Sequence, residues 1–223
     1  MNDRAQLRDA NRYLEATRDR DIPAFGPRLP VETIARFWTM LGHRQGGILN
    51  ASDFGRSLDT SANSVGRYID LLADLFLVRR LQPYATNVSK RLVKSPKLFV
   101  RDSGIFHALL GIESPIDVFA HPIVGTSWEG FVIENLVAEL PFLSRAYFYR
   151  IQAGAEIDLV IERNDLSTWA IEIKRSVSVP VTRGFGQPAK ACNLHAPSWS
   201  TRVTAAFPWR TVSRQLACAN WQA

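Results

Sequence analysis

The chain has few of the residue types that build disulfide frameworks or zinc sites. Its 223 residues include only two cysteines, Cys192 and Cys218, which are too few for either purpose. The four histidines are scattered without the spacing of metal ligands: His43, His107, His121 and His195. These absences argue against a disulfide-stabilised domain and against bound zinc.

Long apolar runs are also missing. No stretch approaches the roughly 20 apolar residues that cross a bilayer, and the start, Met1 to Arg4, is not followed by the apolar run of a signal peptide. The motif G-x-x-x-x-G-K-S/T, which binds nucleotide phosphates, occurs nowhere in the sequence. We therefore expect a cytoplasmic protein without a membrane segment, and we expect no ATP site in this chain.

Acidic residues are absent between Leu75 and Arg101, although the chain has 21 of them against 27 Lys and Arg. The same segment holds seven basic residues: Arg79, Arg80, Lys90, Arg91, Lys94, Lys97 and Arg101. A basic patch of this kind suggests a polyanion as partner, and could account for most of the net charge of +6.

The composition that remains is that of a globular protein. At 46% hydrophobic and 22% charged residues, the chain can bury a core and is long enough for one large or two small domains. Its first 30 residues are charged and interrupted by Pro23, Pro27 and Pro30. We interpret residues 1–30 as a connector that follows a missing module.

Three helices are predicted after this connector. The stripe that begins at Val31 and Ile34 stops at Gly42, and Asn50 can cap a second helix. The third helix is defined by one apolar stripe: Val65, Ile69, Leu72 and Phe76. Asp102 is interpreted as the cap of a later short helix and not as a catalytic acid.

A basic hairpin, residues 77–81 and 97–101, follows the third helix, and this order is typical of a winged helix-turn-helix over residues 31–103. In such proteins the third helix enters the major groove and the wing lies on phosphates. The residues expected to contact nucleic acid, with DNA favoured, are Arg67, Arg79, Arg80, Lys90, Arg91 and Lys94. The alternative is a small helical adaptor whose basic face is only solvated.

A second domain is predicted to begin near Pro122 with a helix over residues 125–140. Glu129 lies on its most apolar stripe, where a carboxylate is costly unless it is paired or metal-bound. Glu134 lies on another face of this helix, and its role is not apparent from the sequence.

Two strands with alternating polar and apolar residues follow, at 156–162 and 170–174. A hairpin folded about Asp165 places Asp158 opposite Glu172, with Lys174 on the same face. Two carboxylates about 5 Å apart call for a cation between them, and Mg²⁺ is the usual one.

Three stretches, GTSWEGFVIENLVAEL, YFYRIQAGAEIDLVIE and AIEIKRS, together resemble the C-terminal domain of a large prokaryotic family of AAA+-type ATP-binding proteins. That domain is itself catalogued as of unknown function and is similar to the PD-(D/E)XK nuclease fold. The upstream stretches LVRRL, KRLVKSPKLFVRDSG and HALLGI resemble the winged-helix segment of the same family. The resemblance covers roughly residues 13–187.

The resemblance implies four catalytic positions: Glu129, Asp158, Glu172 and Lys174. Asp158 and Glu172 would hold Mg²⁺, which activates water, and Lys174 would orient the nucleophile or stabilise charge on phosphorus. The alternative from spacing alone is that these are charges on the wet face of a hairpin, with Lys174 pairing one of the acids.

The chain departs from the family in two places. It lacks the ATPase module, so it resembles the back half of a longer protein. After about Gln187 the strand expected next does not appear, and back-translation with a one-base shift restores strings typical of the family. We therefore hypothesise that residues 191–223 are a frameshifted, aberrant tail.

The sequence thus predicts an α/β protein with a winged helix-turn-helix at 31–103 and a PD-(D/E)XK nuclease-like mixed sheet, flanked by helices, at 104–190. The expected function is nucleic-acid binding with a Mg²⁺-dependent phosphodiesterase site. Two alternatives stay open: a non-enzymatic module that binds DNA or protein, and a non-functional gene fragment.

Overall fold

The computed structural model describes residues 3–25, 31–84, 93–150, 156–165, 167–174 and 203–204. Helices and strands both occur, so the predicted α/β class is confirmed. The chain packs as two compact units, and the boundaries between them fall after residues 81, 94 and 134. The first unit comprises residues up to 81 and 95–134, and the second comprises the rest. This division by packing differs from the segments that the sequence predicts.

The first unit contains eight helices and three strands among the described residues. In chain order they are α1 (Asp3–Ala16), α2 (Ile22–Phe25), α3 (Val31–His43), β1 (Gly47–Ile48), α4 (Ala51–Ser57), α5 (Ala62–Asp74), β2 (Val78–Pro83), β3 (Lys97–Val100), α6 (Ser103–Leu109), α7 (Pro115–Ala120) and α8 (Val124–Ala138). The last two residues of β2 and the last four of α8 belong to the second unit. The three predicted helices and the hairpin over residues 31–103 are therefore confirmed as elements, and β1 is an addition.

Side-chain caps set the starts of several helices. The Asn50 side chain accepts from the Asp53 amide at 3.3 Å, and the Asp102 carboxylate accepts from the Ile105 amide at 2.8 Å. Each bond satisfies an amide that has no partner within its own helix. Both predicted caps are confirmed.

The end of α5 corrects one prediction. Phe76 was expected on the buried stripe, but it has φ +58° and is 74% exposed. The Leu77 amide donates to Leu72 O at 2.9 Å and the Phe76 amide to Ala73 O at 3.0 Å, which is the hydrogen-bond pattern of a Schellman C-cap. This cap turns the chain at Phe76, so Leu77 takes the buried position in its place.

The three strands of the first unit pair antiparallel in the order β1-β3-β2. Gly47 lies opposite Leu98, and β2 pairs with β3 from Val78–Val100 to Leu81–Lys97. The sheet packs on the apolar faces of α3, α4, α5 and α6 in one core, whose largest members are Phe37, Trp38, Phe54, Ile69, Leu72 and Phe106.

Residues 1–30 were predicted to be a connector, and the described part of this segment is helical. A π-helical turn, Thr17–Asp21, joins α1 to α2. Ile22 is 1% exposed within the core of the first unit, and Leu14 packs against the same core. This segment is therefore part of the folded unit and not a connector outside it.

The second unit is built on antiparallel strands: β4 (Arg145–Arg150), β5 (Glu156–Glu162) and β6 (Thr168–Ile171). β4 pairs with β5 and β5 with β6, and the end of β2 pairs parallel with β4 through Gln82 and Pro83. The core of this unit consists of Tyr149, Ile157, Val160 and Ala170, with Tyr84 and Tyr147 packed against them.

Little of the C-terminal part of the chain is described. A two-residue strand β7 (Ile173–Lys174) pairs parallel with β8 (Val203–Thr204). The rest of the predicted aberrant tail, residues 191–223, lies outside the described residues. None of the helices in the described part of the chain is long and apolar enough to cross a membrane.

Candidate nucleic-acid interface and acidic site

One predicted phosphate-binding residue, Arg79, forms an ion pair within the first unit, and so does the basic residue Arg101. Arg79 makes two bonds to the Glu134 carboxylate, one of them from Nη2 to Oε2 at 2.9 Å. Arg101 Nε donates to the same Oε2 at 2.8 Å. The Glu134 side chain is only 13% exposed. Arg79 thus contributes to internal packing, which argues against its predicted role as a phosphate contact.

Lys97 and Glu129 form a second ion pair. Lys97 Nζ lies 2.9 Å from Glu129 Oε1, and Lys97 is 3% exposed. A charged lysine at such a position needs a carboxylate partner, because removal from water penalises an unpaired charge by several kcal/mol. Glu129 can therefore lie on the apolar stripe of α8 because its charge is paired with Lys97. Glu129 is an ion-pair partner in this structure, whether or not it also serves catalysis.

The other basic candidates differ in their surroundings. Arg80 pairs with Asp70 of α5 at the surface. Arg67 and Lys94 are exposed, while Lys90 and Arg91 lie outside the described residues. The acid-free segment is therefore partly neutralised by acidic residues from α5 and α8, so its net charge is smaller than the sequence suggests.

Arg67 stands on the exposed side of α5, one turn after the start of this helix. Ser61 caps the helix by accepting from the Ser64 amide at 3.1 Å. Arg67 Nη2 donates to Ser64 Oγ at 3.2 Å. Asn63 is exposed near the same end. This surface is polar, basic and held on a rigid element.

The acidic hairpin has the predicted register. Glu162 pairs with Thr168 and Val160 with Ala170, as expected, and the ladder ends at Leu159–Ile171. The Asp158–Glu172 pair would come next, but Glu172 lies between β6 and β7, in neither strand. Instead, the Ile173 amide donates to Asp158 Oδ2 at 2.7 Å. Asp158 and Glu172 both follow the last pair of this ladder, and the predicted pairing between them is replaced by the bond from Ile173 to the Asp158 side chain.

The hairpin face that carries Asp158 is not fully exposed to solvent. Val160 and Ala170 lie on it and are buried, and Asp158 and Glu172 are both partly buried. Lys174 continues the chain in β7, where its backbone pairs with Thr204. Within the described residues, no three His, Cys, Asp or Glu side chains converge as a metal site would require. Asp158 and Glu172 therefore lie at the same end of the hairpin, and no ligand set that includes them is found among the described residues.

Sequence reasoning missed the acidic partners Glu134 and Asp70. It also missed Gln45, whose side chain pairs with both backbone groups of Val100, donating to O at 3.1 Å and accepting from N at 2.7 Å. A signal for Glu134 was present, since it shares a helix face with Phe131 and Val137, where a carboxylate has a poor chance of full hydration. No comparable local signal marks Gln45, which follows Arg44 in a turn.

Two family models match successive parts of the chain. A family model described as a domain of unknown function, DUF8612, matches residues 1–116, and another, DUF4143, matches residues 124–212. The second match ends inside the segment predicted to be frameshifted, and the frameshift stays a prediction.

Two relatives are the uncharacterized proteins Rv2008c of Mycobacterium tuberculosis and Mb2031c of Mycobacterium bovis. Each is 39% identical over 183 residues, which are 82% of this chain and 41% of the relative. The chain thus spans less than half the length of the curated relatives it matches. Because the first model matches 116 of 223 residues, the chain belongs to the family defined by the domain of unknown function DUF8612.

Proposed function

We propose that the first unit is a winged-helix module that binds double-stranded DNA. The observation that carries the proposal is the order of its elements, α3-β1-α4-α5-β2-β3, with an antiparallel sheet of strand order β1-β3-β2. In a helix-turn-helix protein the second helix of the motif enters the major groove, and here that helix is α5.

The charge along α5 favours contact through its first two turns. Arg67 and Asn63 are exposed there, whereas Asp70 and Asp74 are exposed in the second half of the helix. Carboxylates close to DNA repel phosphates, so the second half of α5 is suited to face away from the backbone. The other predicted phosphate contacts, Lys90, Arg91 and Lys94, belong to the second unit and are not part of this proposal.

A single substitution tests this proposal. Arg67→Ala should weaken binding to a short DNA duplex about ten-fold and lower the slope of log affinity against log salt by roughly one, because one cationic contact is lost. Fluorescence anisotropy over a series of salt concentrations measures both quantities. The matched control is Arg12→Ala, which removes the same charge from an exposed position on α1.

The proposal is wrong if the parent protein does not bind the duplex at low salt. It is also wrong if Arg67→Ala and Arg12→Ala lower the affinity equally. DNA binding would then depend on the total charge of the protein and not on the surface of α5. Binding to RNA and not to DNA would change the substrate class while keeping the interface.

A Mg²⁺-dependent phosphodiesterase is the second candidate. It is supported by the hairpin register, because the partly buried Asp158 and Glu172 would form the next pair after Leu159–Ile171. Carboxylate oxygens are the ligands that Mg²⁺ prefers, and the ion would supply activated water for attack on phosphorus. We propose that such a site works in the cytoplasm beside an ATPase module, as the resemblance to AAA+-type proteins implies. Without the ion, the same hairpin serves a non-enzymatic binding module.

Metal binding separates these alternatives. Asp158→Asn removes the charge but keeps an oxygen that can accept from the Ile173 amide, so it should abolish Mn²⁺ binding measured by calorimetry without loss of fold. Asp165→Asn is the matched control, because Asp165 is an exposed turn residue of the same hairpin. Equal Mn²⁺ binding by the parent and Asp158→Asn would rule out the site. Binding without phosphodiester cleavage would leave the non-enzymatic module.

A further inference from the structure

α6 and α8 are joined by a hydrogen bond between a histidine and a serine. His107 Nε2 lies 2.7 Å from Ser127 Oγ. Ser127 is 6% exposed and His107 is partly buried, next to the fully buried Phe106. Both residues belong to the first unit, and they connect the segment that matches DUF8612 to the first helix of the segment that matches DUF4143.

We propose that His107 and Ser127 form a pH-sensitive latch that holds the start of α8 against α6. Neutral imidazole fits this position, because it offers one nitrogen to Ser127 and brings no charge into a partly apolar site. Protonation makes both ring nitrogens donors and adds a charge that the site solvates poorly. The latch is therefore closed at neutral pH and weakened in acid.

The charged groups around His107 act in opposite directions. Burial is the main cause that lowers the pKa of His107, the neighbouring Asp102 raises it, and His121 lowers it further. Asp102 caps α6 itself, and His121 precedes α8. Because the pKa in the folded state lies below that in the unfolded state, the unfolded chain binds more protons in the window between the two values. The stabilising effect is complete above about pH 6.5 and is lost as the pH falls through the folded pKa.

Hydrogen exchange on the full chain tests the latch. Corrected for the intrinsic rate, the backbone amides of residues 124–128 should exchange several-fold faster at about pH 5.5 than at about pH 7.5, where His107 is neutral. His107→Gln cannot titrate but can still donate to Ser127, so it should remove this difference. His43→Gln is the matched control, since His43 is exposed on α3, and it should keep the difference.

Ser127→Ala removes the hydrogen bond and leaves the imidazole in place. It should speed exchange at both pH values, whereas a merely buried histidine without a latch would leave exchange at neutral pH unchanged.

A titration of the parent protein by NMR gives a result that does not depend on any variant folding. The His107 ring should titrate below the ordinary value for histidine, about pH 6.5. The inference is overturned if His107 titrates at or above that value, or if the parent and His107→Gln show the same pH effect on residues 124–128.

Discussion

Glu134 pairs with two basic residues in the hairpin region of the first unit. Its carboxylate lies partly buried on α8 and forms ion pairs with Arg79 of β2 and with Arg101, next to β3. Removing that carboxylate takes the shared anion away from both arginines and increases the positive charge of the cluster. A buried pair adds little net stability when intact, but loss of one partner is costly because the other charge stays desolvated.

Glu134→Gln should therefore lower the free energy of unfolding by about 1–3 kcal/mol, less than for a fully buried pair because the arginines are partly solvated. Urea denaturation measures this change. Glu139→Gln, just beyond the end of α8 and exposed, is the matched control and should change stability by less than about 0.5 kcal/mol. Equal effects of the two substitutions would show that the Glu134 ion pairs do not stabilise the fold.

At the scale of elements, α8 packs closely against the turn that follows α3. A Cβ atom on Gly130 would lie 2.7 Å from Gln45 Nε2 and 3.3 Å from Phe99 Cδ1. Gln45 cannot yield without cost, because its side chain bonds to both backbone groups of Val100. Glycine at 130 therefore permits the close approach that brings Glu129 and Glu134 to their basic partners.

Gly130→Ala should destabilise the protein by about 1–3 kcal/mol through this overpacking, although alanine is the better helix former. Gly66→Ala in α5 is the matched control, because a Cβ there meets no atom within 4 Å. We expect Gly66→Ala to be neutral or to stabilise by up to about 1 kcal/mol. Thermal unfolding of the two variants measures the difference, and a Gly130→Ala protein as stable as Gly66→Ala would contradict this account of the contact.

At the scale of the whole molecule, the boundary between the two compact units does not coincide with the boundary between the two family matches. The two matches are separated between residues 116 and 124, whereas the compact units divide within α8, after Glu134. The reason lies in the contacts of α8, since Ser127, Glu129 and Glu134 all bond to residues of the first match. The first match and the start of the second therefore share one packed unit.

Local patterns alone were sufficient to predict most elements of this protein. Apolar periodicity and caps such as Asn50 and Asp102 act within a few residues, so the helices over 31–103, the basic hairpin and the register of β5 with β6 could be read from the sequence. The same reasoning failed at Phe76 and in the first 30 residues. There, a left-handed C-cap and burial of Ile22 in a distant core override the local pattern.

The sequence by itself thus determined most of the helices and strands after residue 30 and where the acidic hairpin turns. Only the tertiary structure decided which acidic and basic residues pair with each other. The partners of Lys97 and Arg79 lie 32 and 55 residues away along the chain, on a helix that the hairpin meets only after folding. An ion pair depends on distance in space and on burial, and neither quantity is contained in the spacing of residues along the sequence.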